Sequence, residues 1–232
     1  MSRRILSAVM LVNMVLVFAV VSAQAQDESN AVADGGIQID GWMGQIDAQE
    51  VERGSTLENA RLTRENGALS VTTGPAVVYW QPESTATGSY TVMATFKEAE
   101  FMTLSGHPHP YGLFIGGNDM GTDDQTLLYC AAYGNGTYIL RGFGPEPFRV
   151  NDQRPEANEA ISKADGTGSP VTQDIAISVY SDKVECAING VVVGSYPKSD
   201  IVGEGKLKST DGTFGIRFGH NTAGTVTGLH SM

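Results

Sequence analysis

From residue 68 onward, short runs of apolar and β-branched residues recur, separated by glycine, asparagine and aspartate. Most runs alternate apolar with polar positions, the period-two pattern of a strand with one buried face. They predict strands over 68–72, 76–80, 90–97, 111–115, 126–133, 137–143, 174–180, 183–188, 191–196, 212–218 and 225–229. In 183–188, for example, Val184, Cys186 and Ile188 share one face and Glu185 and Ala187 the other. Two Asn-Gly pairs, Asn135-Gly136 and Asn189-Gly190, join consecutive runs. Both predict type I′ hairpin turns, which need φ > 0 at two central residues. No stretch has a sustained helical period; the best candidate is 156–164, one or two surface turns. Residues 144–172 form a long excursion between strands, and segments of that length are often functional. Many short strands at this spacing predict a sandwich or jelly roll.

The N-terminus follows a different pattern. Arg3 and Arg4 precede an apolar stretch from Ile5 to Val21, broken by Ser7 and Asn13, and Ala23-Gln24-Ala25 places small residues at a cleavage site. Residues 1–25 are therefore expected to be a signal peptide, with export to the periplasm or the extracellular space. An uncleaved membrane anchor is the alternative. No other segment is apolar enough to span a membrane. Residues 26–36 are small, acidic and aperiodic, and predict a flexible tether. That leaves 37–232 as a single domain.

The whole chain carries a formal charge of −11, and loss of Arg3 and Arg4 makes it two units more negative. Such acidity repels phosphate backbones, which excludes nucleic acid as a partner. Export permits a disulfide between the two cysteines, Cys130 and Cys186. Two buried free thiols are the other reading.

Several segments together resemble a known group. Gly41-Trp42 with Gln45-Ile46-Asp47, the run LSVTTGPA at 69–76 with Tyr79-Trp80, SYTV at 89–92 and YGLFIGG at 111–117 are similar to bacterial exported domains of the concanavalin A-like jelly-roll class. Val184-Glu185-Cys186, Ile188-Asn189-Gly190, FGIR at 214–217 and His220-Asn221 match in order and spacing too. The resemblance spans about residues 41–230. That group is related to 3-keto-disaccharide hydrolases and loosely to laminarinase-like glycosidases. It implies an all-β concanavalin A-like sandwich of two antiparallel sheets and a carbohydrate-related role, frequently as a binding or accessory module.

Candidate chemistry is sparse. Glycoside hydrolysis uses two carboxyl groups flanking the scissile bond. Glu98 and Glu100 are the acidic pair at strand spacing beside an apolar run, and are the catalytic candidates. Laminarinase-like enzymes carry a third acid where this chain has Met102, and a solvated strand end would look the same. Asn118, Asp119, Asp123 and Asp124 offer oxygen ligands in one glycine-containing loop, so Ca²⁺ is the cofactor to consider; otherwise none is expected. His107-Pro108-His109-Pro110 is expected to be a rigid exposed loop; a metal shared with His220 is the alternative. For sugar binding, aromatic faces and nearby polar groups point to Trp80, Tyr111, Tyr129 and Arg141, with Arg217, His220 and Asn221 at the end of a later strand. Core packing is the competing role for each aromatic. The expected function is an exported, non-catalytic jelly-roll domain that binds a carbohydrate or cell-envelope component. The alternatives are a glycan-processing hydrolase or lyase and a structural assembly module.

Overall fold

The computed structural model describes residues 29–232; the expected signal peptide and residues 26–28 lie outside them. In chain order the strands are β1 (Gly36–Ile37), β2 (Met43–Ile46), β3 (Ala60–Glu65), β4 (Ala68–Thr73), β5 (Val77–Ala86), β6 (Tyr90–Glu98), β7 (Tyr111–Asn118), β8 (Thr126–Tyr133), β9 (Thr137–Phe143), β10 (Pro147–Arg149), β11 (Glu156–Ala157), β12 (Val171–Val179), β13 (Lys183–Ile188), β14 (Val191–Pro197), β15 (Gly212–Phe218) and β16 (Ala223–Ser231). One α-helix, α1 (Ala48–Glu52), follows β2.

The strands form two sheets, ordered β1-β3-β4-β16-β6-β12-β13-β14 and β10-β9-β8-β7-β15-β5-β2, with β11 also on β9. Every pairing between these strands is antiparallel except β1 on β3. The result is the all-β jelly-roll sandwich that the sequence pattern implied.

The main core lies between the sheets. Val92, Phe96, Ile177 and Cys186 of the first sheet meet Tyr111, Leu113, Cys130 and Phe218 of the second. Three rings bridge the layers: Phe96 to Tyr111 at 5.9 Å, Phe96 to Phe218 at 6.1 Å and Tyr111 to Phe218 at 6.0 Å between centroids. Each fully buried side chain of this size stabilises the fold by about 1.5–3 kcal/mol. Cys130 on β8 and Cys186 on β13 form a disulfide across the same gap, with Cα atoms 6.2 Å apart. The open question of their pairing is thereby settled as a cross-link between the two sheets.

The second sheet is apolar on its other face as well. Val78, Trp80, Phe114, Leu127, Tyr129, Ala131 and Ile139 cluster there, with Met120, Tyr133 and Phe143 packed against them. These residues alternate with core residues along β5, β7, β8 and β9, as period two requires. Hence β7 and β8 are buried at seven consecutive positions each, the near-continuous pattern of a strand covered on both sides.

Several local expectations are corrected. Residues 156–164 are not helical. Glu156 and Ala157 pair with β9, and the segment's N–H groups go to loop carbonyls: Asn158 N–H donates to Gly136 O (3.3 Å) and Ala164 N–H to Gly134 O (2.8 Å). Asn189-Gly190 is the predicted turn, with φ of 52° and 80°. The other hairpin has a three-residue loop, because Tyr133 pairs with Thr137 and, of Asn135 and Gly136, only Gly136 (φ 87°) is left-handed. From residue 29 the expected tether is docked. Asn30 N–H donates to Asn221 Oδ1 (2.8 Å), Ser29 Oγ to Glu50 Oε2 (2.8 Å), and β1 pairs with β3. Among the described residues, no helix is long and apolar enough to cross a membrane.

Candidate functional site

Alternation along β15 sends Phe218 into the core and Arg217 to the outer face of the second sheet. There Arg217 is only 6% exposed. Its Nη1 and Nη2 donate to Oδ1 and Oδ2 of Asp47 at 2.7 and 2.6 Å. Asp47 caps α1, in extended conformation at φ −62° and ψ 142°. The guanidinium also lies over two rings, 4.8 Å from the centroid of Tyr129 and 5.0 Å from that of Phe143. Those rings stack 5.8 Å apart. Burial disfavours the cation, but Asp47 and Tyr129 outweigh it, and the Arg217 pKa is pushed up.

Beside this group an open cleft of about 560 Å³ runs over the sheet, bordered by Tyr129, Tyr133, Ile139 and Arg141 on the sheet, by Asp47 and Glu50, and by His107, His109 and His220. Arg141 pairs in register with Tyr129. Its Nη2 donates to Gln153 O at 3.1 Å, while its buried Nε has no protein acceptor. Burial pushes the Tyr133 hydroxyl up to about 12, partly offset by Arg141 and Arg217.

The third side of the cleft comes from two loops. His107 and His109 precede β7, and His220 lies between β15 and β16. The ring centroids are 4.4 Å apart for His107 and His109, 3.9 Å for His109 and His220, and 6.3 Å for His107 and His220. His109 is buried, so the loop is less exposed than the sequence suggested.

The structure therefore gathers Tyr129, Arg141, Arg217 and His220 in one cleft. Asn221 is not among the residues that line it; it lies in a buried turn at φ 48°, where its Oδ1 accepts from Asn30 N–H. Trp80 is in the apolar cluster on the outer face but is itself covered, at 2% exposed. Tyr111 is on the opposite side of the sheet, inside the main core. Neither residue lines the cleft.

Glu98 and Glu100 do not form a pair. Strand β6 ends at Glu98, so strand spacing no longer holds beyond it. Glu98 is buried and Glu100 exposed, and neither reaches the cleft. Burial pushes the Glu98 carboxyl up to about 7, against a weak bond from Met102 N–H at 3.4 Å. In the acidic loop, Asn118 Nδ2 donates to Gly116 O and Asp211 O (3.0 Å each), Asp119 pairs with Lys208, and Asp123 and Asp124 are exposed. Among the described residues, the group of three His, Cys, Asp or Glu side chains that converges within reach of one metal ion is His107, His109 and His220. Sequence reasoning did not single out Asp47 or Tyr133 as site residues; Asp47 carried a signal only as part of the Gln45-Ile46-Asp47 segment.

No protein-family model and no curated protein matches the chain. Solved structures do match in fold. A Bacillus subtilis protein of unknown function with a galectin-like fold aligns at TM-score 0.56 and 14% identity, over 82% of this chain and 88% of that one. The carbohydrate-binding module CBM66 from Bacillus subtilis aligns at 0.50 and 7%, over 85% and 98%. An endo-β-1,3-glucanase from Pyrococcus furiosus aligns at 0.50 and 12%, over 82% and 87%. The chain thus has the galectin-like and concanavalin A-like jelly-roll architecture.

Proposed function

We propose that the protein is an exported, non-catalytic carbohydrate-binding domain whose ligand lies in the cleft over the second sheet. The observation that carries this reading is Arg141. Its guanidinium borders the cleft beside the Tyr129 and Tyr133 rings, with Nη2 donating to Gln153 O. A guanidinium donates the stronger, charge-assisted kind of hydrogen bond, which suits a sugar hydroxyl or ring oxygen held in the cleft. Aromatic walls with a few fixed polar groups suit the mixed apolar and hydroxylated faces of a sugar ring. Fold analogy lends associational support, since similar structures include a carbohydrate-binding module and a glucanase.

The carboxylates near the cleft favour binding over hydrolysis. Both Asp47 oxygens are occupied by Arg217, Glu50 is buried and bonded to Ser29, and Glu98 lies elsewhere. Export is supported by the N-terminal pattern of residues 1–25 and by the Cys130–Cys186 disulfide, a bond that persists in oxidising compartments.

A glycan array followed by calorimetric titration tests the reading. Saturable binding to a polysaccharide or oligosaccharide is expected, weakened about tenfold or more in Arg141→Met and in Tyr133→Ala when each variant is titrated at a temperature where it is fully folded. Lack of saturable binding across neutral and acidic glycans would overturn it.

A further inference from the structure

We infer that His107, His109 and His220 form a three-histidine site for a transition-metal ion of the Zn²⁺ type at the rim of the cleft. The inference stands apart from the glycan reading. It rests on the convergence of three imidazoles on a framework that holds them there.

One nitrogen from each ring lies within 4.8 Å of the other two. A tetrahedral Zn²⁺ at about 2.0–2.1 Å from each nitrogen sets those nitrogens roughly 3.4 Å apart. Small side-chain rotations close that difference. The backbone beneath is already fixed. Pro108 and Pro110 keep the residues before them extended, so His107 and His109, two positions apart, project to the same side. Gly219 N–H donates to Pro110 O at 2.7 Å, tying this loop to the turn that carries His220. A Cβ on Gly219 would come within 2.8 Å of Pro110 Cδ and 3.2 Å of His109 Cβ, so only glycine allows this approach. The turn is held from below as well. Thr73 Oγ1 donates to Gly219 O (2.6 Å) and accepts from Thr222 N–H (2.9 Å), and Asn221 N–H donates to Gly74 O (3.0 Å). A metal site on two cross-braced loops is largely preorganised.

The supporting contacts also suit a metal. Ser105 Oγ lies 3.0 Å from His109 Nε2. When Nε2–H donates to that hydroxyl, Nδ1 keeps the lone pair that a metal takes, the usual way a neighbour selects the ligating tautomer. An all-imidazole set selects Zn²⁺, Cu²⁺, Ni²⁺ or Co²⁺ over the oxygen-seeking Ca²⁺ and Mg²⁺. Three ligands leave a fourth position open, and all three histidines border the cleft. Asp47 and Glu50 border it too, but Arg53, Arg141 and Arg217 offset them, so the imidazole nitrogens and not the surrounding charge would hold the ion.

The test uses the chain from residue 26 onward, without a histidine tag, stripped of metal by chelation. Titration with Zn²⁺ should show one ion per chain at micromolar affinity or tighter, and Co²⁺ should give the visible bands of a tetrahedral complex. His107→Asn and His220→Asn should each weaken Zn²⁺ binding by about 100-fold while the metal-free protein melts unchanged. Ca²⁺ at the same concentration should not compete. No stoichiometric Zn²⁺ binding, or equal binding by both variants, would overturn the inference. Should either variant fold poorly, histidine ring signals of the wild-type protein that stay unmoved by Zn²⁺ would overturn it just as well.

Discussion

Arg217 and Asp47, 170 residues apart in sequence, meet through two parallel charge-assisted hydrogen bonds at 2.7 and 2.6 Å. The pair is the junction between the second sheet and α1. Removing one partner strands a buried charge, which costs about 3–5 kcal/mol. Asp47→Ala should therefore lower unfolding free energy by about that amount in urea. Adding Arg217→Met should restore much of it, because the uncompensated cation is then gone. A double variant no more stable than Asp47→Ala would show that the cost lies in lost packing instead.

Glu98 should make the fold sensitive to pH. Its native pKa is raised from 4.5 to about 7 by burial. From about pH 4.5 up to about 7 the unfolded chain ionises while the native carboxyl stays protonated, so native stability falls as pH rises. The full effect is on the order of 3 kcal/mol. Glu98→Gln should flatten that slope in melts taken from pH 4.5 to 7.5. An unchanged slope in the variant would assign it to other groups.

The disulfide closes a 56-residue separation. On chain-entropy grounds its loss costs about 4 kcal/mol, or a fall in Tm of about 10 °C for a domain of this size. The Cys130→Ala, Cys186→Ala double variant should show that fall by calorimetry. A difference under about 2 °C would mean that packing alone sets the stability.

Gly219→Ala should destabilise the chain by about 1–3 kcal/mol. The added methyl meets Pro110 Cδ at 2.8 Å and the Pro110 carbonyl oxygen at 3.1 Å. Thermal melting measures the loss. A wild-type Tm in the variant would mean the two loops part easily.

Much of the fold was legible because the second sheet writes itself in long apolar runs. Strands β8, β9 and β15 begin and end where the pattern placed them, and so does β13 of the first sheet, on alternation alone. Strand β3 was missed because ARLTRE carries three charges, and only its pairing with β4, as in Arg61 against Thr72, fixes it as a strand. The helix expected at 156–164 lost to tertiary contacts: Ile161 is buried and the backbone bonds to the 134–136 loop.

The site was half legible for a related reason. Period two says which residues share a face, not which face meets the core. On neighbouring strands with apolar residues on both sides, Tyr129 went to the cleft and Tyr111 to the interior. Asp47 could not be read as the partner of Arg217, since nothing local joins positions so distant.

On β8, Cys130 and Ala132 face the core while Tyr129 and Ala131 face the cleft side. A slip of β8 by a single residue would exchange those two sets, putting the Tyr129 ring into the interior. Because Cys130 is bonded to Cys186, it cannot turn outward. The cross-link is thus a register pin, and it keeps the rings of the cleft on the side where a ligand can meet them.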